Sequence, residues 1–289
     1  LKPFFSIIIP AYNAEATLGA TLRSVGEQSC TDWELWVVDD GSNDGTVALV
    51  EQFSESFPTA QVRWLSQANR GLGAARNAGI QKAQGSYVAL LDADDVWTEK
   101  KLAQCEKFLQ ASPECDLLYH QVVSFGLGQD RVRQAYPVGS AAQLLERGNP
   151  IVPSATLLRR STALAQPFAE EPEYHGAEDL ELWLRLLHQQ ACLYYWPEVL
   201  TRYRETGGMH NRLQEHLEHT LAVIEAGYQK GYYRRITVEK ARQRKFYEAG
   251  RYCQKRGDHH GASYYFSLAD ARSVKLTGLK ILNALGIRY

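Results

Sequence analysis

The sequence has no paired cysteines, almost no net charge and no long apolar run, and each absence removes a class of protein. Its five cysteines (Cys30, Cys105, Cys115, Cys192 and Cys253) are odd in number, scattered, and never spaced Cys-x-x-Cys. That pattern supports neither a disulfide framework nor a zinc site, and free thiols suit a reducing compartment. A formal net charge of −1 creates no overall field toward polyanions, so no nucleic-acid partner is expected. No stretch approaches the roughly 20 apolar residues of a membrane span. No signal peptide precedes Phe4, and the chain starts at Leu1 rather than Met. The glycine-rich turn that a dinucleotide needs after the first strand is also missing. Pro10-Ala11-Tyr12-Asn13-Ala14 occupies that turn, and after Gly71-x-Gly73 an arginine, Arg76, stands where a third glycine belongs. A nicotinamide or flavin cofactor is therefore not expected. Nor does the turn supply the glycine- and lysine/arginine-rich triphosphate loop of a nucleotidyltransferase.

What is present is a chain of 289 residues, 45% hydrophobic and 22% charged, enough for one or two globular domains with a full core. Phe4–Pro10 is a continuous apolar run that reads as a strand buried on both faces. Helical spacing over Glu15–Gln28 follows, then a strand at Glu34–Val38, a helix at Thr46–Phe57, a strand at Val62–Leu65, a helix at Gly71–Gln84 and a strand at Tyr87–Leu91. Such alternation predicts an α/β layer with parallel strands and right-handed crossovers. Ligands bind beyond the carboxyl ends of strands in such sheets. The polar clusters Pro10–Asn13, Asp39–Ser42 and Asp92–Asp95 all fall there. Three carboxylates (Asp92, Asp94 and Asp95) just past a buried strand repel one another unless a cation lies among them. A hard divalent ion, Mg²⁺ or Mn²⁺, is their natural partner; a solvated acidic turn capping a helix from Trp97 is the plainer reading.

Four motifs then occur in order: Pro10-Ala-Tyr-Asn13; Val37-Val-Asp-Asp-Gly-Ser42 with Asp44 and Thr46; Asn69-Arg-Gly71 with Ala75-Arg-Asn77 and Gly79; and Leu91-Asp-Ala-Asp-Asp95. Together they resemble the family 2 glycosyltransferases, inverting enzymes of the GT-A fold. The resemblance implies that Pro10, Ala11, Tyr12, Asn13 and Asp40 hold the nucleotide base, commonly uracil. Asp39 would serve the same pocket or brace its loop. Arg70 and Arg76 would meet base or phosphate, unless Arg76 is a surface ion pair. Asp92 and Asp94 match the Asp-x-Asp motif, Asp94 as the metal ligand and Asp92 nearer the ribose. Asp95 would be a ligand, a brace or a helix cap.

Downstream, strands are expected at Asp116–Phe125 and Ser154–Arg160, with a polar hairpin or loop at Gly126–Tyr136 and a short helix at Gln143–Gly148 between them. In the family the Pro153-Ser154 region flanks the acceptor. His120 reads as a packed or exposed histidine rather than a catalyst. In His175-Gly-Ala-Glu178-Asp179-Leu-Glu-Leu-Trp183 the two acids fall in the first turn of an amphipathic helix, where the helix dipole favours them. The stretch also resembles the family's Glu-Asp motif, which implies Asp179 as general base for the acceptor hydroxyl and Glu178 as its support. Two further strands are expected at Cys192–Pro197 and Val199–Arg204. The family's Tyr-Arg-x-His then reads Tyr203-Arg204-Glu205-Thr206, with His210 displaced, so Arg204 or His210 would touch the donor phosphates; the paired glycines Gly207-Gly208 suit a lid.

The expected architecture is α/β: a GT-A nucleotide-diphospho-sugar transferase domain over residues 1–210, a Rossmann-like mixed sheet flanked by helices, plus a small helical region over 211–289. A break at Gly257-Asp258 separates helices Ala241–Arg256 and Gly261–Ala271 of that region. The basic segment Arg272–Tyr289 could touch anionic lipid, and the helices could mediate an oligomer. The expected activity is metal-dependent transfer of a sugar from a nucleotide-sugar donor, UDP-linked, to the hydroxyl of a saccharide or lipid-linked saccharide. The expected location is cytoplasmic, peripheral at the inner face of the plasma membrane. A nucleotide-sugar binding module without catalysis, or a nucleotidyltransferase, are the alternatives.

Overall fold

The computed structural model describes residues 2–57, 61–126, 129–205 and 213–269. The apolar run near the N-terminus forms β1 (Phe5–Ala11), fully buried, with β2 (Trp33–Asp39) and β4 (Tyr87–Leu90) parallel on either side and β3 (Val62–Ser66) parallel beyond β2. Helices α1 (Glu15–Gly26), α2 (Thr46–Glu55) and α3 (Leu72–Lys82) make the crossovers. This half matches the sequence expectation to within two residues at each end, because continuous apolar runs can be satisfied only between two helical layers.

The second half departs more. The helix expected from Trp97 begins only at Lys101, as α4 (Lys101–Ala111), and Val96–Trp97 instead forms a short strand, β5. Its partner decides this: Trp97 pairs antiparallel with Thr201 of β9 (Leu193–Arg204), a pairing that local signals cannot announce. The two strands expected at 192–197 and 199–204 are one, β9, and its pairing with β6 (Leu117–Phe125) shifts register beside His120 and Gln121. Pro197 lies at that irregularity, where a missing N–H can be tolerated. The polar hairpin is present, as β7 (Arg131–Arg133) against β6. Next come α5 (Ala141–Arg147), β8 (Thr156–Arg159), α6 (Arg160–Ala165) and α7 (Glu178–His188). The sheet order is β3-β2-β1-β4-β8-β6-β9-β5, mixed as expected.

Three helices close the described chain: α8 (Leu213–Gln229), α9 (Arg235–Arg256) and α10 (His259–Leu268). Gly257 ends α9 in the left-handed conformation and the Asp258 carboxylate caps α10 by accepting from the Gly261 N–H. Val223 and Ile224 of α8 and Val238 and Ala241 of α9 share one buried cluster with Leu144, Trp183 and Ile8. The helical region is therefore anchored through α5 and α7 to the α/β layer. All five cysteines are free thiols. Among the described residues no helix is long and apolar enough to cross a membrane. Thr206, Gly207, Gly208, His210 and the basic segment 272–289 lie outside the described residues.

Candidate active site

The loops beyond β1, β2 and β4 are laced before they offer anything to a ligand. Asn13 donates its backbone N–H to Ser42 Oγ at 2.9 Å, and its Oδ1 accepts from the Asn43 N–H at 2.9 Å. Asp44 accepts from the N–H groups of Glu15 and Thr46, and Thr46 Oγ1 accepts from the Ala14 N–H at 2.8 Å. Asp39 accepts from the Ser42 N–H at 3.0 Å, so it braces the loop. Asp40 ties in the next loop, accepting from Gln67 Nε2 at 2.8 Å, the Arg70 N–H at 2.9 Å and the Gly71 N–H at 2.8 Å. An ionised carboxylate offers about four acceptor sites, so Asp40 retains one. Its cavity, about 920 Å³, is also lined by Pro10, Ala11, Tyr12 and Asp94, with Tyr12 half exposed. Asn13, expected in that pocket, and Asp39, expected there or as a brace of its loop, are not on its wall; their polar groups hold the turns.

The acidic run does not act as one group. Asp94 lines the large cavity; burial, and then the neighbouring Asp92 charge, push its carboxyl above the usual range. Asp95 is fully buried, accepts from the Arg204 N–H at 2.7 Å, and leaves Oδ2 without a partner; burial and its two acidic neighbours raise it further. Asp95 thus braces the end of β9 through its Oδ1. Arg204, expected at the donor phosphates, donates from Nε to the Asp94 carbonyl at 2.9 Å. Beneath the run, Ser154 accepts the Asp92 N–H on its hydroxyl, while its carbonyl takes Trp97 Nε1 at 2.8 Å and Lys101 Nζ at 2.6 Å. His120 is packed, as expected: 1% exposed, its Nδ1 2.9 Å from the Gln121 carbonyl, its basicity lowered by burial and then by Lys101.

Arg76 is neither a surface ion pair nor a free cation. It is 1% exposed, with Nη2 2.7 Å from Asp92 Oδ1 and Nη1 2.6 Å from Glu178 Oε1, and it lies over the Phe168 ring. Burial weakens its charge, but the Asp92 and Glu178 carboxylates outweigh that and hold its pKa above the ordinary value. Around this bridge the loop before α7 clamps the start of α3. Asn77 binds the Phe168 backbone through both amide atoms, at 2.9 and 2.8 Å, and Arg70 pairs with Glu170 at 2.5 Å. Two glycines permit the approach. Gly71 has φ +88° and passes so close to His175 that a Cβ would lie 2.8 Å from Nε2; on Gly73 a Cβ would meet the Ala169 carbonyl oxygen at 2.1 Å.

A second cavity, about 460 Å³, opens over the start of α7 and is lined by Asp92, Arg76, Glu178, Asp179, Asn149 and Tyr203 among others. Asp179 sits there with its Oδ1 bonded to the N–H of Leu180, the following residue, at 2.7 Å. Burial, then the adjacent Glu178 charge, raise its pKa, against the lowering pull of Arg76. Leu72, Gly176 and His216 line both cavities, so the two adjoin. Sequence reasoning missed the contributions of α8 and α9: His216 and His219 line the large cavity, and His216 and Lys245 the small one. Nothing in their local sequence marks them, since they arrive by packing alone.

Among the described residues no three His, Cys, Asp or Glu form a cage that could hold a metal ion. A cavity-lining carboxylate raised by burial and by a like charge does, however, fit an ion that takes one or two carboxylates and draws its other ligands from phosphates and water.

The sequence model described as "Glycosyl transferase family 2" matches residues 6–162, more than half of the chain. The chain belongs to that family. This glycosyltransferase is 33% identical over 207 residues to the putative teichuronic acid biosynthesis glycosyltransferase TuaG of Bacillus subtilis, covering 70% of this chain and 79% of TuaG. It is 42% identical over 98 residues to the Escherichia coli UDP-Glc:alpha-D-GlcNAc-diphosphoundecaprenol beta-1,3-glucosyltransferase WfgD, covering 34% of this chain and 37% of that one. Among solved structures, the mannosyltransferase PcManGT of Pyrobaculum calidifontis, in complex with GDP-Man and Mn²⁺, superposes with a TM-score of 0.66 at 18% identity, covering 99% of this chain and 80% of that one. The mixed sheet and its flanking helices are those of the GT-A fold.

Proposed function

We propose that this glycosyltransferase is a metal-dependent, inverting enzyme that uses a nucleoside-diphosphate sugar, UDP-linked, and acts in cell-surface polysaccharide or lipid-linked glycan synthesis. The observation that carries the proposal is the adjacency of two cavities, one walled by Asp40, Tyr12 and Asp94, the other by Asp179. The first suits a nucleotide: Tyr12 offers an aromatic face to the base, and Asp40 keeps one lone pair for a ring N–H. Asp94, with Asp92 beside it, would hold Mn²⁺ or Mg²⁺, which when bound neutralises charge on the departing diphosphate.

The second cavity suits the acceptor. Its hydroxyl attacks the anomeric carbon from the face opposite the nucleotide, forming the new glycosidic bond as the bond to the diphosphate oxygen breaks. The diphosphate leaves with the bonding electron pair, and Asp179 takes the hydroxyl proton. A carboxylate raised toward neutrality by burial and Glu178 is a better proton acceptor than an ordinary one. Inversion follows from a single displacement, and no covalent intermediate on the enzyme is needed.

Relatives support the donor and the setting. WfgD carries a UDP-linked donor and a lipid-diphosphate acceptor in its name, and TuaG the biosynthesis of teichuronic acid. PcManGT, bound to GDP-Man, is alike only in fold at this identity. An acceptor of that kind would put the enzyme in the cytoplasm at the inner face of the plasma membrane. The test is Asp179→Ala: sugar transfer is lost while UDP still binds as to the wild type. Transfer that survives the change would remove Asp179 from the chemistry.

A further inference from the structure

Gly176 and His216 line both cavities, so the two meet at the turn before α7 and at α8. That turn, His175-Gly176-Ala177, leads directly into Glu178 and Asp179. Ala177 stands at the N-cap of α7 and makes no side-chain cap, so no bond of that kind fixes the direction in which α7 sets out. Two histidines of α8 reach the turn instead. His219 Nδ1 lies 2.7 Å from the His175 carbonyl oxygen. A carbonyl only accepts, so Nδ1 carries the proton of this bond. His216 hydrogen-bonds the Gly176 backbone, and a Cβ added to Gly176 would lie 3.5 Å from its Nδ1. Residues three apart share one face of a helix, so α8 offers both imidazoles to successive residues of the turn.

The turn is held on its other side as well. The His175 ring packs on Gly71, whose N–H binds Asp40 Oδ2 at 2.8 Å, and both His175 and Asp40 line the large cavity. Just past the turn, Glu178 is fixed by Arg76 at 2.6 Å. The turn therefore lies between the wall built on Asp40 and the side chain of Asp179. A shift of its backbone changes the distance from a bound donor to that carboxylate, and a misplacement of about 1 Å can cost about a hundredfold in rate.

Resting on the reading of Asp179 as the base, we infer that His216 and His219 are positioning residues: by holding the backbone of His175 and Gly176 they set the place of Asp179 against the donor. α8 then belongs to the catalytic unit, although it lies beyond residue 162, the end of the family match, and beyond residue 210, where the sequence suggests that unit to end.

The experiment compares the full chain as wild type, as His219→Phe, which keeps a ring but cannot donate, and as His219→Asn, whose amide N–H stands where the Nδ1–H stood. Hydrogen–deuterium exchange is read over residues 175–182 and over β1. UDP release from UDP-glucose is followed with Mn²⁺, water taking the place of the acceptor hydroxyl. In His219→Phe, exchange over 175–182 should quicken about tenfold, the loss of one hydrogen bond, and stay unchanged over β1. Its kcat should fall about tenfold or more with KM within about twofold. His219→Asn should restore both. Unchanged exchange overturns the inference. Quickened exchange at unchanged kcat also overturns it, since the contact would then serve the fold alone. A raised KM at unchanged kcat does so too, because His219 would then bind the donor itself. Should His219→Phe fail to fold, His219→Ala takes its place, and if the wild type leaves UDP-glucose intact the exchange comparison alone decides. The underlying readings are kept separate: UDP that fails to bind the wild type in calorimetry counts against the donor site, and hydrolysis that survives Asp179→Ala counts against the base.

Discussion

Arg76 Nη1 lies 2.6 Å from Glu178 Oε1, joining α3 to the start of α7 across 102 residues of sequence. The same guanidinium holds Asp92, so one buried cation ties the Asp-x-Asp run to the Glu178-Asp179 pair.

Removing that cation leaves Glu178, 3% exposed, and Asp92 facing each other without compensation. Arg76→Met is expected to cost about 3–5 kcal/mol, the range for breaking a buried pair by removing one partner. Arg76→Lys should recover part of this, because a single ammonium cannot span both carboxylates as a planar fork does. Thermal or urea unfolding checks the order: wild type, then lysine, then methionine.

The pH dependence of turnover follows from the pair at the start of α7. Asp179 acts as a base only when ionised, so the rate rises with pH through its pKa. The Glu178 charge raises that pKa, second only to burial. Glu178→Gln removes the charge, lowers the pKa of Asp179, and should move the acid limb of the pH–rate profile to lower pH. An unmoved limb in a folded variant would separate the two residues.

Lys101 gives a stability test away from the chemistry. Burial lowers its pKa from 10.5 to about 7. Between those values the unfolded chain binds more protons than the folded one, so this group makes stability rise with pH across that window. Lys101→Met should abolish that rise. The Ser154 carbonyl would still accept from Trp97 and Thr201, so the variant should remain within about 2 kcal/mol of wild type at neutral pH, or exceed it. Stability measured from pH 7 to 10 for both proteins checks this.

The first half of the fold could be read from the sequence because its signals are local. Continuous apolar runs gave β1, β2 and β4 their burial, and the polar residues after them had to lie at strand ends. The family motifs were legible as motifs, but not which of their atoms would remain available. Asn13, Asp44, Thr46 and Asn77 hold loops together, and only the hydrogen-bond network reveals that. Neighbouring acids such as Asp94 and Asp95 differ in direction, one to a cavity and one to the Arg204 N–H, a distinction spacing cannot make. The strand at Trp97 has no local signal, because its partner, Thr201, is about a hundred residues away. His216 and Lys245 reach the site through packing of α8 and α9 on α5 and α7, which no local pattern encodes.

Calorimetric titration of UDP and GDP, with and without Mn²⁺, into the wild type and Asp94→Ala tests whether Asp94 holds an ion beside a UDP-linked donor. UDP should bind with Mn²⁺ present and weakly without it, and the Mn²⁺ enhancement should disappear in Asp94→Ala. Equal binding with and without the ion, or an enhancement that survives in Asp94→Ala, would contradict an ion held by Asp94, and a clear preference for GDP would contradict the UDP donor.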